Sequence, residues 1–447
     1  MLTGRDDAPH ALGDDLVLRW STAADTERLA ALTSSVFREA KDEPANVETA
    51  ASIRAVMNGD YPLIAPGDFA LVEDTGTGRI AACACLLAQV WRYGGVALPV
   101  GRPEAVATDP AYRRRGLVRA IFGLLHARSD ARGDLAQAIT GIPYFYRQFG
   151  YAYALDLGGE RYVALADIPD ELPEHPDSVT LQPATEADVP FLAALYERSF
   201  ARSLVSAEIP LDYWRYKLAT AATSNSDWRL LIIAEGAGSP IGFLNVQPHR
   251  TSTTWMVHQL EAAPGIGLQA LVLPVLRRLK QLAPTLPTFK PLEPAAVINF
   301  RLGREHPWYE ALGQRLAPRG RPPYAWYVRV ANLPRLLLHL APVLEVRLAA
   351  SVAAGHSGDL RLDFYRGGLR LVFERGKLAL AEDWQRPDWS ARDHAAFPPL
   401  VFLPLLFGYR SLPELCAAHP DVSCPEDLEP LLCALFPPAV STVLPLG

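Results

Sequence analysis

The chain has 447 residues, 49% hydrophobic and 21% charged. That apolar content excludes an intrinsically disordered chain, and the length points to about three domains rather than one core. The formal net charge of −6 at pH 7 excludes a global basic field of the kind that drives nucleic-acid binding.

The opening residues, MLTGRDDAPHALGDD, hold no apolar run of the signal-peptide kind. Leu16–Trp20 is predicted as a strand and Ala23–Arg38 as an amphipathic helix, with Thr22 as N-cap and Asp25 three residues on. The same layout returns further along. Leu18, Thr22, Ala24, Asp25, Leu29 to Leu32 and Phe37 match Leu181, Thr185, Ala187, Asp188, Leu192 to Leu195 and Phe200, an offset of 163 residues. Tyr146 and Gly150 fall on Tyr309 and Gly313 at the same offset. Two distant segments sharing one offset predict two copies of one domain.

Within the first copy, Phe69–Glu73 and Arg79–Trp91 read as a hairpin across Thr75-Gly76-Thr77-Gly78. Cys83 and Cys85 lie in its apolar second strand, where structural thiols are expected; five sparse cysteines do not make a disulfide scaffold. Glu104–Thr108 is predicted as a strand, Leu117–Arg128 as a helix, Ala136–Thr140 as a strand and Tyr144–Phe149 as a short helix. The proline-rich stretch from Ile168 to Pro176 reads as a linker. A third region opens with Tyr324–Val330 and carries a hairpin signal at Arg366-Gly367-Gly368. The apolar stretch Ala395 to Tyr409 holds three prolines and is shorter than the roughly 20 residues a membrane span needs.

Residues 104–120, EAVATDPAYRRRGLVRA, carry the chemistry. A strand runs into a basic loop, and a helix starts at once. A helix N-terminus offers free N–H groups and the positive end of a dipole, Gly116 permits close backbone approach, and three arginines add positive potential. Together these suit a pyrophosphate. The alternative reading of the charge run by itself is a solvated basic loop before a surface helix.

VATDPAYRRRGLVRAIF resembles the acetyl-CoA signature of the GNAT acetyltransferases, Arg/Gln-x-x-Gly-x-Gly/Ala at the start of a helix. Arg113 and Gly116 match it; Val118 departs, since the family has Gly or Ala there. YFYRQFGYAYAL (Tyr144 to Leu155) is similar to the family's later helix-and-strand segment. RRRGL, YRQFGY and WYVRVANLPRLL together resemble the enhanced intracellular survival protein group. That resemblance implies an α/β (α+β) chain of two tandem GNAT-fold mixed-sheet domains, residues 1–167 and 177–323, then a smaller sterol-carrier-protein-like α+β domain, residues 324–447. The second copy is degenerate and binds no CoA, because EAAPGIGLQALVLPVL lacks the basic loop.

The resemblance further implies an N-acetyltransferase moving an acetyl group from acetyl-CoA directly to a primary amine of a small cationic molecule or a lysine side chain. Val106, Ala107 and Thr108 would lie along the pantetheine arm. Either Val106 or Ala107 would offer an N–H to the thioester carbonyl. Arg113, Arg114, Arg115, Gly116, Leu117 and Val118 would surround the pyrophosphate, and Tyr146 would be the general acid. The base is left open among the terminal carboxylate of Gly447, Glu104 and a water chain. The ten histidines are scattered singly, so no metal is expected. Neither nucleic acid nor membrane is an expected partner. A cytoplasmic homo-oligomer, with the hexamer as a candidate state, is the expected form. The competing reading is a non-catalytic acyl-CoA sensor or protein-interaction scaffold.

Overall fold

The computed structural model describes residues 8–38, 43–171, 179–221, 228–236, 238–288, 293–388 and 393–446. Three mixed sheets carry the fold. The first has nine strands and runs His10–Gly13, Leu16–Trp20, Phe69–Asp74, Arg79–Tyr93, Val96–Thr108, Ala136–Ile139, Tyr324–Arg329 and Ala152–Leu157; Val205–Ala207 joins it against Trp91–Tyr93. The second has seven and runs Arg319–Arg321, Glu160–Ala164, Val297–Phe300, Thr254–Ala262, Ser239–Val246, Arg229–Glu235 and Val179–Pro183. The third has four, Lys377–Trp384, Gly368–Glu374, Gly358–Asp363 and Ala395–Ala396, with short helices packed around it.

The repeat read at 163 residues is present in the fold. Leu16–Trp20 is followed by the helix Thr26–Val36, and Val179–Pro183 by the helix Val189–Ser199. Each helix is entered through a capping box, Thr22 with Asp25 and Thr185 with Asp188. Gly150 and Gly313 both have a positive φ.

The two sheets exchange strands. Tyr324–Arg329, read from sequence as the opening of the third region, lies between Ala136–Ile139 and Ala152–Leu157 in the first sheet. The reason lies in its composition: Ala325, Trp326, Tyr327 and Val328 are all buried, so the segment needs cover on both faces and belongs inside a sheet. Conversely, Glu160–Ala164 leaves the first copy and pairs with Val297–Phe300 in the second sheet. Of the expected linker, residues 172–178 lie outside the described residues, while Ile168 is buried and its carbonyl accepts from Lys280 Nζ at 2.8 Å. Several elements run past their expected ends: the Glu104–Thr108 strand begins at Val96, and the Leu117 helix continues to Arg132. A helix at Val47–Met57, capped by Asn46, was not anticipated. No helix among the described residues is long and apolar enough to cross a membrane.

Candidate active site in the first unit

The site begins where a strand pair comes apart. Val96–Thr108 runs parallel to Ala136–Ile139, but their pairing covers only Val100 with Ala136 and Gly101 with Gln137. At Gly101 a Cβ would lie 2.3 Å from Ser129 Oγ and 2.7 Å from Asp134 Oδ2. Glycine therefore lets the helix Leu117–Arg132 close against the strand there. Beyond Gly101, residues 102–108 pair only with the other neighbour, Arg79–Tyr93. That pairing shifts register between Cys83 and Cys85, opposite Ala105, whose φ is +53°. The result is a β-bulge beside an open strand edge, a device that re-aims backbone groups. The Ala107 N–H lies against the Cys83 thiol, whose pKa burial nonetheless raises to about 12. N–H groups alternate along a strand, so that of Val106 falls on the open edge. Cys85 is pushed up as well, by burial and then by Glu104; both thiols are structural.

The same strand leads into the basic loop. Asp109 caps the short turn Pro110–Tyr112 and pairs with Arg79 at 2.7 Å. Arg114 has φ +63° and Gly116, the residue before the helix, φ +75°. These left-handed turns bring the chain round so that the helix starts at Leu117 with its first N–H groups exposed at the loop. Arg115 pairs with Asp14 at 2.8 Å and lies over the Tyr112 ring. Arg113 and Arg114 are exposed and make no ion pair among the described residues. The loop thus presents two uncommitted guanidinium groups and a helix N-terminus, a fit for an anionic phosphate group.

Tyr146 stands behind this loop in an aromatic cluster with Phe122, Ile139, Tyr151 and Tyr327, against which Val106 and Val118 also pack. One cluster therefore joins the bulge, the first turn of the helix and the tyrosine. The Val118 side chain, the departure from the resembled motif, is accommodated in it. Tyr146 is 3% exposed, stacks on Phe122 at 5.6 Å, and makes no hydrogen bond among the described residues through its hydroxyl. Burial, and secondarily the charge of Glu104, raises its pKa above the ordinary phenol value, so it holds its proton at neutral pH.

Glu104 begins the bulge. Its carboxylate pairs at 2.8 Å with Arg102, which is almost fully buried and lies over the Trp326 ring. Arg102 and Gln89 both donate to the Leu446 carbonyl, Gln89 at 2.8 Å. The chain's last segment reaches this point by way of the second unit: Leu204 N–H donates to Val440 O, and Thr442 N–H to Val205 O. Gly447 lies outside the described residues, so the position of its carboxylate is not described. Sequence reading missed Arg102 and Gln89. The signal for Arg102 was a single charge in the otherwise uncharged run VALPVGRP.

A cavity of about 600 Å³ opens beside the bulge. Cys85, Glu104 and Ala105 form its floor, Phe37 and the helix Val47–Met57 one wall, and Tyr216, Lys217 and Thr220 of the second unit another. The corresponding place in the second unit is far smaller, about 50 Å³, and is lined partly by Thr442 and Leu444 of the C-terminal segment. Among the described residues, no group of three or more His, Cys, Asp or Glu is placed to hold a metal ion.

An open strand edge, a bulge and a basic loop at a helix start define a class. Residues 18–154 match the family model described as the acetyltransferase (GNAT) domain. No curated protein matches the chain. Solved structures share the fold over nearly the whole length. A GCN5-related N-acetyltransferase from Kribbella flavida is 17% identical with a TM-score of 0.66, over 98% of this chain and 100% of its own. A GCN5-related N-acetyltransferase from Anabaena variabilis is 12% identical with a TM-score of 0.64, over 96% and 99%. Eis1 from Mycobacterium abscessus is 17% identical with a TM-score of 0.59, over 96% and 97%. At such identities the likeness is one of fold.

Proposed function

We propose that the chain is an N-acetyltransferase that moves an acetyl group from acetyl-CoA to a primary amine in one ternary complex. The observation that carries this reading is the open edge of residues 102–108, which ends in the basic loop and the Leu117 helix start. A pantetheine arm adds to such an edge as an extra strand does. Acetyl-CoA supplies the activated acyl group and a thiol leaving group. The chain supplies the rest. Arg113, Arg114, Arg115 and the N–H groups from Gly116 to Val118 hold the pyrophosphate, while Ala107 and Thr108 continue the edge along the arm. The Val106 N–H faces the carbonyl oxygen as negative charge develops on it. Tyr146, kept protonated by burial, donates to the departing thiolate.

The amine must lose a proton before or during attack. Glu104 is tied to Arg102, and the C-terminal segment is drawn to the same arginine. The base is left open among Glu104, the terminal carboxylate of Gly447 and a water chain. In this reading the second unit is a GNAT copy without CoA, the third is sterol-carrier-protein-like, and the chain assembles as a homo-oligomer. Calorimetric titration with acetyl-CoA tests it. One site per chain is expected; two sites would place a second one in the 177–323 copy, and none would leave the scaffold reading.

A further inference from the structure

The cavity beside the bulge has a distinct chemical character. Ile53, Val56, Phe69 and Leu87 supply aliphatic and aromatic surface, and Tyr61 and Tyr216 form an edge-to-face pair at 5.2 Å across the junction of the two units. Among the described lining residues, the carboxylates are Glu48 and Glu104, and Glu104 is already paired with Arg102 at 2.8 Å. The same lining contains a cation, Lys217, whose ammonium lies 5.2 Å from the Tyr213 ring and 5.6 Å from that of Trp228.

We infer that the acceptor is a primary amine on a single apolar or aromatic body, carrying one positive charge rather than several. The inference rests on the acetyltransferase reading above and narrows its acceptor. An amine at the floor, near Glu104 and the bulge, leaves its body against Ile53, Val56, Phe69 and Leu87, where each buried methylene is favourable. About 600 Å³ is room for a body of that kind. A polyamine brings two or three further ammonium groups into the same space. Among the described lining residues one carboxylate, Glu48, is available to them, and Lys217 adds a positive charge to the same wall. A buried ammonium without a partner is strongly disfavoured.

The test uses the full chain with saturating acetyl-CoA and reads thiol release. Values of kcat/KM are compared for 2-phenylethylamine and hexylamine against spermidine and putrescine at one pH and ionic strength. The monoamines are expected to exceed the polyamines at least tenfold. Polyamines equal to or better than monoamines overturn the inference and leave the acetyltransferase reading intact. No turnover with any amine, while calorimetry shows acetyl-CoA bound, overturns that reading and the inference with it. Ser52→Asp adds a carboxylate at an exposed position of the cavity wall. It is expected to narrow the preference at least threefold; an unchanged ratio shows that wall charge does not select the amine and overturns the proposal.

Discussion

Tyr146 and Tyr309 stand 163 residues apart at matching places in the first two units, and the fold treats them in opposite ways. The Tyr309 hydroxyl accepts from the Leu302 N–H at 2.8 Å and lies 3.0 and 2.9 Å from the Gly159 and Phe300 carbonyls. It is a fastener that ties the exchanged strand region to its own sheet. The Tyr146 hydroxyl has no such partner among the described residues and stands in the cluster that Val106 and Val118 share. Asp25 and Asp188 make a parallel contrast. Both complete a capping box, but Asp25 is fully buried and also takes two 2.8 Å hydrogen bonds from Arg19, with Arg28 paired to it and Glu73 completing the network. Asp188 caps Thr185 at 2.7 Å, and the positions matching Arg19 and Arg28 are Gln182 and Phe191. The same backbone layout therefore surrounds matching positions with different polar partners in the two units.

The comparison breaks most readily at the basic loop before Leu117. Arg114→Glu with Gly116→Val is expected to weaken acetyl-CoA binding at least a thousandfold by calorimetry, since charge and left-handed backbone are lost together. Gly265→Ala with Gly267→Ala in the second unit is expected to leave affinity unchanged; a loss there would make the second unit a CoA site. Next in size is the tyrosine pair. Tyr146→Phe is expected to lower turnover about a hundredfold with acetyl-CoA affinity held within twofold. Tyr309→Phe is expected to leave turnover alone and cost about 1–3 kcal/mol of stability, because it strands buried backbone groups. Equal turnover losses from both would erase the distinction drawn here.

The aspartates differ by less. Asp25→Asn removes the charge between two arginines, although Arg19 keeps Glu73 at 2.7 Å. A destabilisation of about 2 kcal/mol is expected, against less than about 1 kcal/mol for Asp188→Asn, where a cap is weakened. Denaturant midpoints of the two variants decide the point.

Acid sharpens the comparison further. Burial, and then Arg329, lowers the pKa of His126 to about 3, and its ring lies 2.9 Å from the Tyr151 hydroxyl. Between pH about 6.5 and 3 the unfolded chain binds a proton there that the folded chain refuses. Stability from this group is therefore present above that window and falls as pH drops through it, by at most about 1.4 kcal/mol per pH unit. Asp25 acts lower. Burial works to raise its pKa, but the hydrogen bonds from Arg19 and Thr22 and the arginine charges outweigh it and bring it to about 2. Its contribution is lost as pH falls from about 3.8 toward 2. His126→Gln is expected to flatten the decline above pH 4 and leave the lower limb; an unchanged profile would remove His126 as its source.

Local chemistry was legible in the residues themselves. The strand-loop-helix from Glu104 to Ala120, the capping boxes at Thr22 and Thr185 and the Thr75–Gly78 hairpin all depend on neighbours within a few turns of chain, where spacing and turn residues carry the information, and the repeat at 163 residues is visible because the same local pattern is written twice. Other features depended on contacts across hundreds of residues. The Val47–Met57 helix is only weakly patterned, VETAASIRAVM, and is fixed by its Asn46 cap and its packing on Thr26–Val36. The place of Tyr324–Arg329 inside the first sheet follows from a two-sided apolar strand finding a gap that only the folded sheet provides. Arg102 acquires its meaning from Leu446, 344 residues away. Sequence by itself determined where a basic loop meets a helix start. Tertiary structure decided which copy keeps its cleft open, because the second unit's cleft is crossed by the chain's own C-terminal segment on its way to the first.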